Sequence, residues 1–191
     1  MIVLDIEATG LMQALVTPLI VQPHTVELTA VKLDQRTFRS VGRLEFLCKP
    51  PVPLPVEFTR ITGIRQIDVH GCKPFSTYYP ELCKFFLGES TLIAHNATYD
   101  IGVLSCELRR LGKECAFPWP YHAVCTIETT APYLGRYLEL RELYQTVLNR
   151  QMPSAHRSGV DTDALVEIVQ ALSKQQLFDQ LVKRRPVAYQ R

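Results

Sequence analysis

The sequence predicts a single α/β domain with a mixed central sheet flanked by helices. Strand-like segments dominate residues 1–49, and beyond them short apolar strands alternate with segments of helical periodicity. The chain has 191 residues, 47% hydrophobic and 21% charged, which suits one soluble domain with a core of its own.

Met1–Leu4 is an apolar run that leads into Asp5 and Glu7 and then Ala8-Thr9-Gly10, the pattern of a buried strand closing at a turn. Thr25–Leu33 alternates and reads as a second strand, and Arg39–Lys49 as a third, with residues 11–24 as the loop between the first two. Pro50, Pro51, Pro53 and Pro55 exclude a central strand or helix interior there, because proline has no amide hydrogen to donate. A stiff surface connection is expected instead. After a short polar, glycine-bearing stretch come a helix over Thr77–Leu87 and a strand over Ser90–Ala94. His95–Tyr99 turns into a helix over Asp100–Leu111, closed by Gly112. A strand over Ala123–Thr126, helices over Ile127–Leu134 and Leu138–Asn149, and a long helix over Val160–Leu172 complete the body.

Composition excludes several classes. The six cysteines, at 48, 72, 83, 106, 115 and 125, form no Cys-x-x-Cys pair, which favours isolated buried thiols over a zinc ribbon or a redox motif. The N-terminal segment lacks a basic region and carries two acids where a signal peptide needs an apolar stretch. No run reaches the roughly 18 apolar residues of a membrane span. A cytoplasmic, soluble protein without a membrane partner is expected. The net charge is +2, and with the four basic residues of Lys183–Arg191 set aside, 17 basic residues face 19 acids. Charge thus permits a nucleic-acid partner without demanding one.

The acids hold the chemistry. Asp5 and Glu7 stand two apart at a strand end, and the period of two puts both side chains on one face. Two neighbouring anions there repel each other and lose hydration unless a cation or protons offset the cost. Read alone, the pair also fits a strand end emerging into water. On the long helix, Asp161 shares a stripe with Leu165, Ile168 and Leu172, all within about 40° of it on an ideal helix. Asp163, about 200° around, faces solvent and is assigned no chemistry. Asp161 can be a bare capping carboxylate, and Asp100, at the edge of the stripe of Ile101, Leu104, Leu108 and Leu111, a plain N-cap. Together the four acids form an oxygen-only ligand set that suits Mg²⁺ or Mn²⁺ rather than zinc. Two such ions, roughly 4 Å apart, clamp the attacking and leaving oxygens of a phosphodiester. His156, five residues before Asp161 in a loop, reads either as a surface residue or as an imidazole placed to take a proton from water.

Three segments carry a resemblance. Val3-Leu4-Asp5-Ile6-Glu7-Ala8-Thr9-Gly10-Leu11, Ala94-His95-Asn96-Ala97-Thr98-Tyr99-Asp100 and His156-Arg157-Ser158-Gly159-Val160-Asp161 are similar, in order and spacing, to the motifs of the DnaQ-like, or DEDDh, 3′-to-5′ exonucleases of the proofreading epsilon-subunit and exonuclease X type. His24–Leu33, Phe58–Ile64 and Cys125-Thr126 resemble intervening elements of that family, so the likeness spans residues 1–172. Tyr99 departs from the pattern, where phenylalanine is commoner. The resemblance implies a ribonuclease H-like fold, two Mg²⁺ or Mn²⁺ ions on Asp5, Glu7, Asp100 and Asp161, and His156 as general base. It also implies contacts to the terminal nucleotide from Ala8, Thr9 and Leu11, with Asn96 shaping the pocket.

The function so implied is removal of nucleoside 5′-monophosphates from a 3′ end, with single-stranded or mismatched DNA preferred as substrate. RNA is the alternative, and replication or repair proteins are the candidate partners. Residues 1–175 are expected to form the exonuclease domain and 176–191 a basic tail. A binding module without turnover and a phosphodiesterase of small nucleotides are the competing readings; retention of all four acids and the histidine argues against the former.

Overall fold

The structure, a computed structural model, describes residues 1–14, 16–153 and 156–174 and the backbone of residues 185–186. Its strands are β1 (Ile2–Ala8), β2 (Thr25–Leu33), β3 (Ser40–Leu47), β4 (Thr91–Ala94), β5 (His122–Cys125) and β6 (Arg185–Pro186). They lie in one sheet in the order β3-β2-β1-β4-β5-β6. β1 is antiparallel to β2 and parallel to β4, and β5 continues the parallel set. The sheet is therefore mixed, as the run of strands followed by alternating strands and helices implies. The helices are α1 (Val56–Thr62), α2 (Gln66–His70), α3 (Tyr79–Phe86), α4 (Ala97–Arg110), α5 (Thr126–Leu134), α6 (Leu140–Leu148) and α7 (Ser158–Lys174). Among the described residues no helix is long and apolar enough to cross a membrane.

The alternation of β1 decides where the core and the acids go. Ile2, Leu4, Ile6 and Ala8 enter one apolar cluster with Leu82 and Phe86 of α3 and Val103, Leu104 and Leu108 of α4. Met1 and Val3 enter another, with Leu143 of α6 and Leu165, Ile168, Val169 and Leu172 of α7. Asp5 and Glu7 continue the second row. The same row that packs α7 onto the sheet thus delivers two carboxylates to the level of its first turn. Leu165 and Ile168 are fully buried, each contributing about 2 kcal/mol by removal from water, so α7 cannot rotate away without a large loss.

β1 does run from Ile2 through Asp5 and Glu7 to Ala8, as its pattern implies, because Asp5, Ile6 and Glu7 keep their pairing with Thr29, Leu28 and Glu27 of β2. Several boundaries differ from the reading of the sequence. α1 and α2, of seven and five residues, were not expected, since helical periodicity needs a window longer than either. α4 starts at Ala97, three residues earlier than expected, with Asn96 as its N-cap in the left-handed conformation at φ 74°. Asp100 is therefore not an N-cap: it lies within α4 and is only 2% exposed. Gly112, at φ 65°, does follow the end of α4, in a conformation that suits residues without a Cβ. The cysteines are free, as expected, but only Cys48 and Cys106 are buried; Cys72, Cys83 and Cys125 are half-buried and Cys115 is exposed. Apart from the pairing of Arg185–Pro186 with β5, the C-terminal segment from 175 onward lies outside the described residues.

Candidate active site

Three elements converge on one end of the sheet. β1 supplies Asp5 and Glu7, α7 supplies Asp161, and oxygen atoms of these three carboxylates lie within 4.8 Å of one another. α4 brings Asp100 in from the opposite face of the sheet. Its Oδ1 accepts the amide hydrogen of Ile6 at 3.0 Å, between the two acids of β1. Asp163 faces away, its side chain 62% exposed and paired with Arg43 at 2.6 Å, as its angle on the helix requires.

This concentration of acids shows in their protonation. Burial, reinforced by Asp100, Glu7, Asp161 and Glu27, raises the Asp5 carboxyl well above its ordinary value. Burial likewise raises Asp100, against the Ile6 amide that favours its charged form. Glu7 is pushed up to about 7 by burial and then by Asp161 and Glu27, with Arg157 opposing. Asp161 is raised chiefly by burial, opposed by the His156 amide that donates to Oδ2 at 3.0 Å. Its other oxygen, Oδ1, is buried without a hydrogen-bond partner among the described residues. Buried polar atoms of this kind are normally satisfied. An unpartnered carboxylate oxygen beside two more carboxylates, all oxygen donors, fits a hard divalent cation.

A stability prediction follows for metal-free protein. Each raised carboxyl binds its proton more tightly folded than unfolded, so its contribution is complete at low pH and is lost as pH rises through the folded value. For Glu7 that window runs from 4.5 to about 7. The loss is on the order of 3 kcal/mol, or roughly 10 °C in melting temperature for a chain of this size. Thermal melts in chelator are expected to fall between pH 5 and 8, and saturating Mn²⁺ to remove the slope. A melting temperature flat or rising over that range would contradict the crowding of these acids.

His156 is exposed and sits at φ 71°, at the entrance to α7. Its ring reaches solvent while its amide is held by Asp161. His95, in the turn after β4, behaves differently. Burial holds it near 4, and its Nδ1 contacts Thr126 Oγ1 at 2.9 Å, so it is a neutral structural contact between β4 and α5. His24 Nδ1 lies 3.3 Å from the buried Glu107.

The turn after β1 is fastened on two sides. Thr9 exchanges hydrogen bonds with His24, its amide donating to the carbonyl and its Oγ1 accepting from the amide, both at 2.9 Å. Across the turn, Tyr99 Oη donates to the Gly10 carbonyl at 2.9 Å. Between these ties Leu11 is 79% exposed, beside a cleft of about 250 Å³ lined by Thr9, Gly10, Leu11, Gln13, Ile20 and Val21 among others. Ala8 is buried at the end of β1, and Asn96 is exposed at the start of α4.

Glu27 and Arg157 contact this site, and the sequence reading gave them no role; Tyr99 stood out there only as a departure from phenylalanine, and its hydroxyl is what ties the turn. Glu27 had left one signal, an acid in the strand row of Thr29, Val31 and Leu33.

The exonuclease family model matches residues 2–169. The DNA polymerase III PolC-type protein of Clostridium perfringens is 28% identical over 174 residues, covering 88% of this chain but only 11% of the polymerase. The chain thus spans about a tenth of that relative's length. Exonuclease X in complex with 5′-overhanging duplex DNA superposes with a TM-score of 0.61 at 20% identity, covering 94% of this chain and 98% of that one. The nuclease domain of 3′hExo, a DEDDh family member bound to rAMP, gives 0.76 at 14% identity, covering 96% and 94%. With the acids in place on a mixed sheet of this order, the chain belongs to the exonuclease family, and its ribonuclease H-like fold is that of the DEDDh nuclease domain it superposes on.

Proposed function

We propose that this 3′-to-5′ exonuclease acts on DNA with a single-stranded or mismatched 3′ terminus and releases nucleoside 5′-monophosphates. The observation that carries the reading is the meeting of Asp5, Glu7 and Asp161 within 4.8 Å, with one buried Asp161 oxygen left unpartnered among the described residues. The family depends on divalent metal. Two Mg²⁺ or Mn²⁺ ions suit the site: Asp5, Glu7 and Asp161 would hold one, and Asp5 would hold most of the second, with Asp100 completing the set. Bound there, divalent cations supply Lewis acidity that makes water a better nucleophile and offsets charge on the departing 3′ oxygen.

The chain's own groups do the rest. His156, on its exposed corner, takes the proton of the attacking water through a ring nitrogen. The Thr9–Leu11 turn holds the last nucleotide, the exposed Leu11 side chain lying against it, Ala8 contributing backbone and Asn96 closing the pocket. Residues 1–175 form the catalytic domain and 176–191 a basic tail. Relatedness to a polymerase supports work beside replication or repair proteins, in the cytoplasm.

The direct test is incubation of end-labelled DNA and RNA, single- and double-stranded, with Mg²⁺, Mn²⁺ or chelator. A ladder shortening from the 3′ end of DNA, silent in chelator, is expected. Faster shortening of RNA would move the substrate to RNA, and cleavage of dinucleotides alone would make the enzyme a small-nucleotide phosphodiesterase. Tyr99→Phe tests the nucleotide pocket. Removing the bond to Gly10 costs about 1 kcal/mol of turn anchoring, so KM for an oligonucleotide should rise roughly fivefold with kcat little changed. Unchanged steady-state kinetics would separate Tyr99 from binding.

A further inference from the structure

The carboxylate of Glu27 is buried, 2% exposed, on β2 directly opposite Glu7. It binds no catalytic group itself. Arg157 donates to it through Nε, at 3.1 Å to each oxygen, and through Nη2, at 2.5 Å to Oε1. The amide of Ser158, first residue of α7, donates to Oε2 at 2.8 Å. A single buried carboxylate therefore caps the helix that carries Asp161 and clamps the residue that follows His156. Nearby, Thr29 Oγ1 meets Ser158 Oγ at 2.7 Å, so β2 grips the helix start through two neighbouring side chains of one row.

His156 is pinned between two carboxylates. On one side its own amide goes to Asp161, and on the other Arg157 goes to Glu27. Its backbone occupies the left-handed region, which costs a non-glycine residue about 1 kcal/mol and persists only where its surroundings enforce it. Among the described residues, these two contacts hold the main chain on either side of it. His156 is exposed, so the main chain beneath it sets where its Cα–Cβ bond points and hence the arc the imidazole can reach.

We propose that Glu27 is a positioning residue for His156. Through Arg157 and the Ser158 amide it fixes the main chain that carries the imidazole, and so fixes where the imidazole meets the attacking water. The inference rests on His156 being the base, and the experiment separates the two ideas.

Glu27→Gln and Arg157→Gln are each compared with wild type, and then each in a His156→Ala background, by steady-state hydrolysis of a labelled single-stranded oligonucleotide with Mn²⁺. Each single variant is expected to lower kcat roughly tenfold or more, the usual scale for losing a group that orients an active-site residue, with KM within about twofold. In the His156→Ala background neither should lower kcat further, because the group they orient is gone. A wild-type kcat in the single variants, or the same proportional loss with and without His156, overturns the proposal while leaving the base assignment standing. Normal turnover in His156→Ala alone overturns both. Should melting show that Glu27→Gln does not fold, Arg157→Gln carries both comparisons, its side chain being 47% exposed.

Discussion

Asp5→Asn is expected to abolish metal-dependent hydrolysis, by roughly 10³-fold or more, and at the same time to raise the melting temperature of metal-free protein above pH 7. Both effects have one cause. Asp5 is the carboxylate on which Asp100, Glu7, Asp161 and Glu27 all press, and its burial strips it of water. With cations bound, that crowding is what makes the site; without them it is unrelieved repulsion. Asparagine keeps the shape and removes the charge. Parallel melts and product assays in chelator and in Mn²⁺ decide the matter. A variant that hydrolyses at the wild-type rate, or wild-type protein that digests in chelator, would remove Asp5 from the metal site.

His156→Ala should lower turnover by roughly 10²-fold or more, the range for loss of a general base, with oligonucleotide binding and metal-dependent stabilisation retained. His156 is exposed, and the backbone amide that serves Asp161 is present in alanine too. Single-turnover rates and a binding titration in Ca²⁺ separate chemistry from affinity. Weakened binding with unchanged chemistry would turn His156 into a substrate contact.

The acids of β1 were legible because a strand alternates without exception: once Val3 is inside, Asp5 and Glu7 share its side. Asp161 was legible from its angle to Leu165, Ile168 and Leu172, and the same arithmetic sent Asp163 to solvent, where it pairs with Arg43. Asp100 was recognised as an acid of the site but misplaced within its helix, since the turn that starts α4 depends on the left-handed Asn96, which nothing in the local pattern marks. α1 and α2 were too short to show a period. Glu27 was hidden for another reason: its partner Arg157 lies 130 residues away, and a pairing across that distance leaves no imprint on either neighbourhood. Local periodicity reports which way a side chain points, and only the assembled sheet reports what it meets.

β1 interleaves oily and acidic positions at one frequency, locked between β2 and β4. An inserted or deleted residue within it would exchange Leu4 and Ile6 for Asp5 and Glu7 across the sheet, spoiling fold and chemistry in a single event. Lineages of this architecture can therefore retire or retune catalysis by swapping letters, but not by changing the length of that segment. Inactive descendants should keep an ungapped first strand, with the acids overwritten in place.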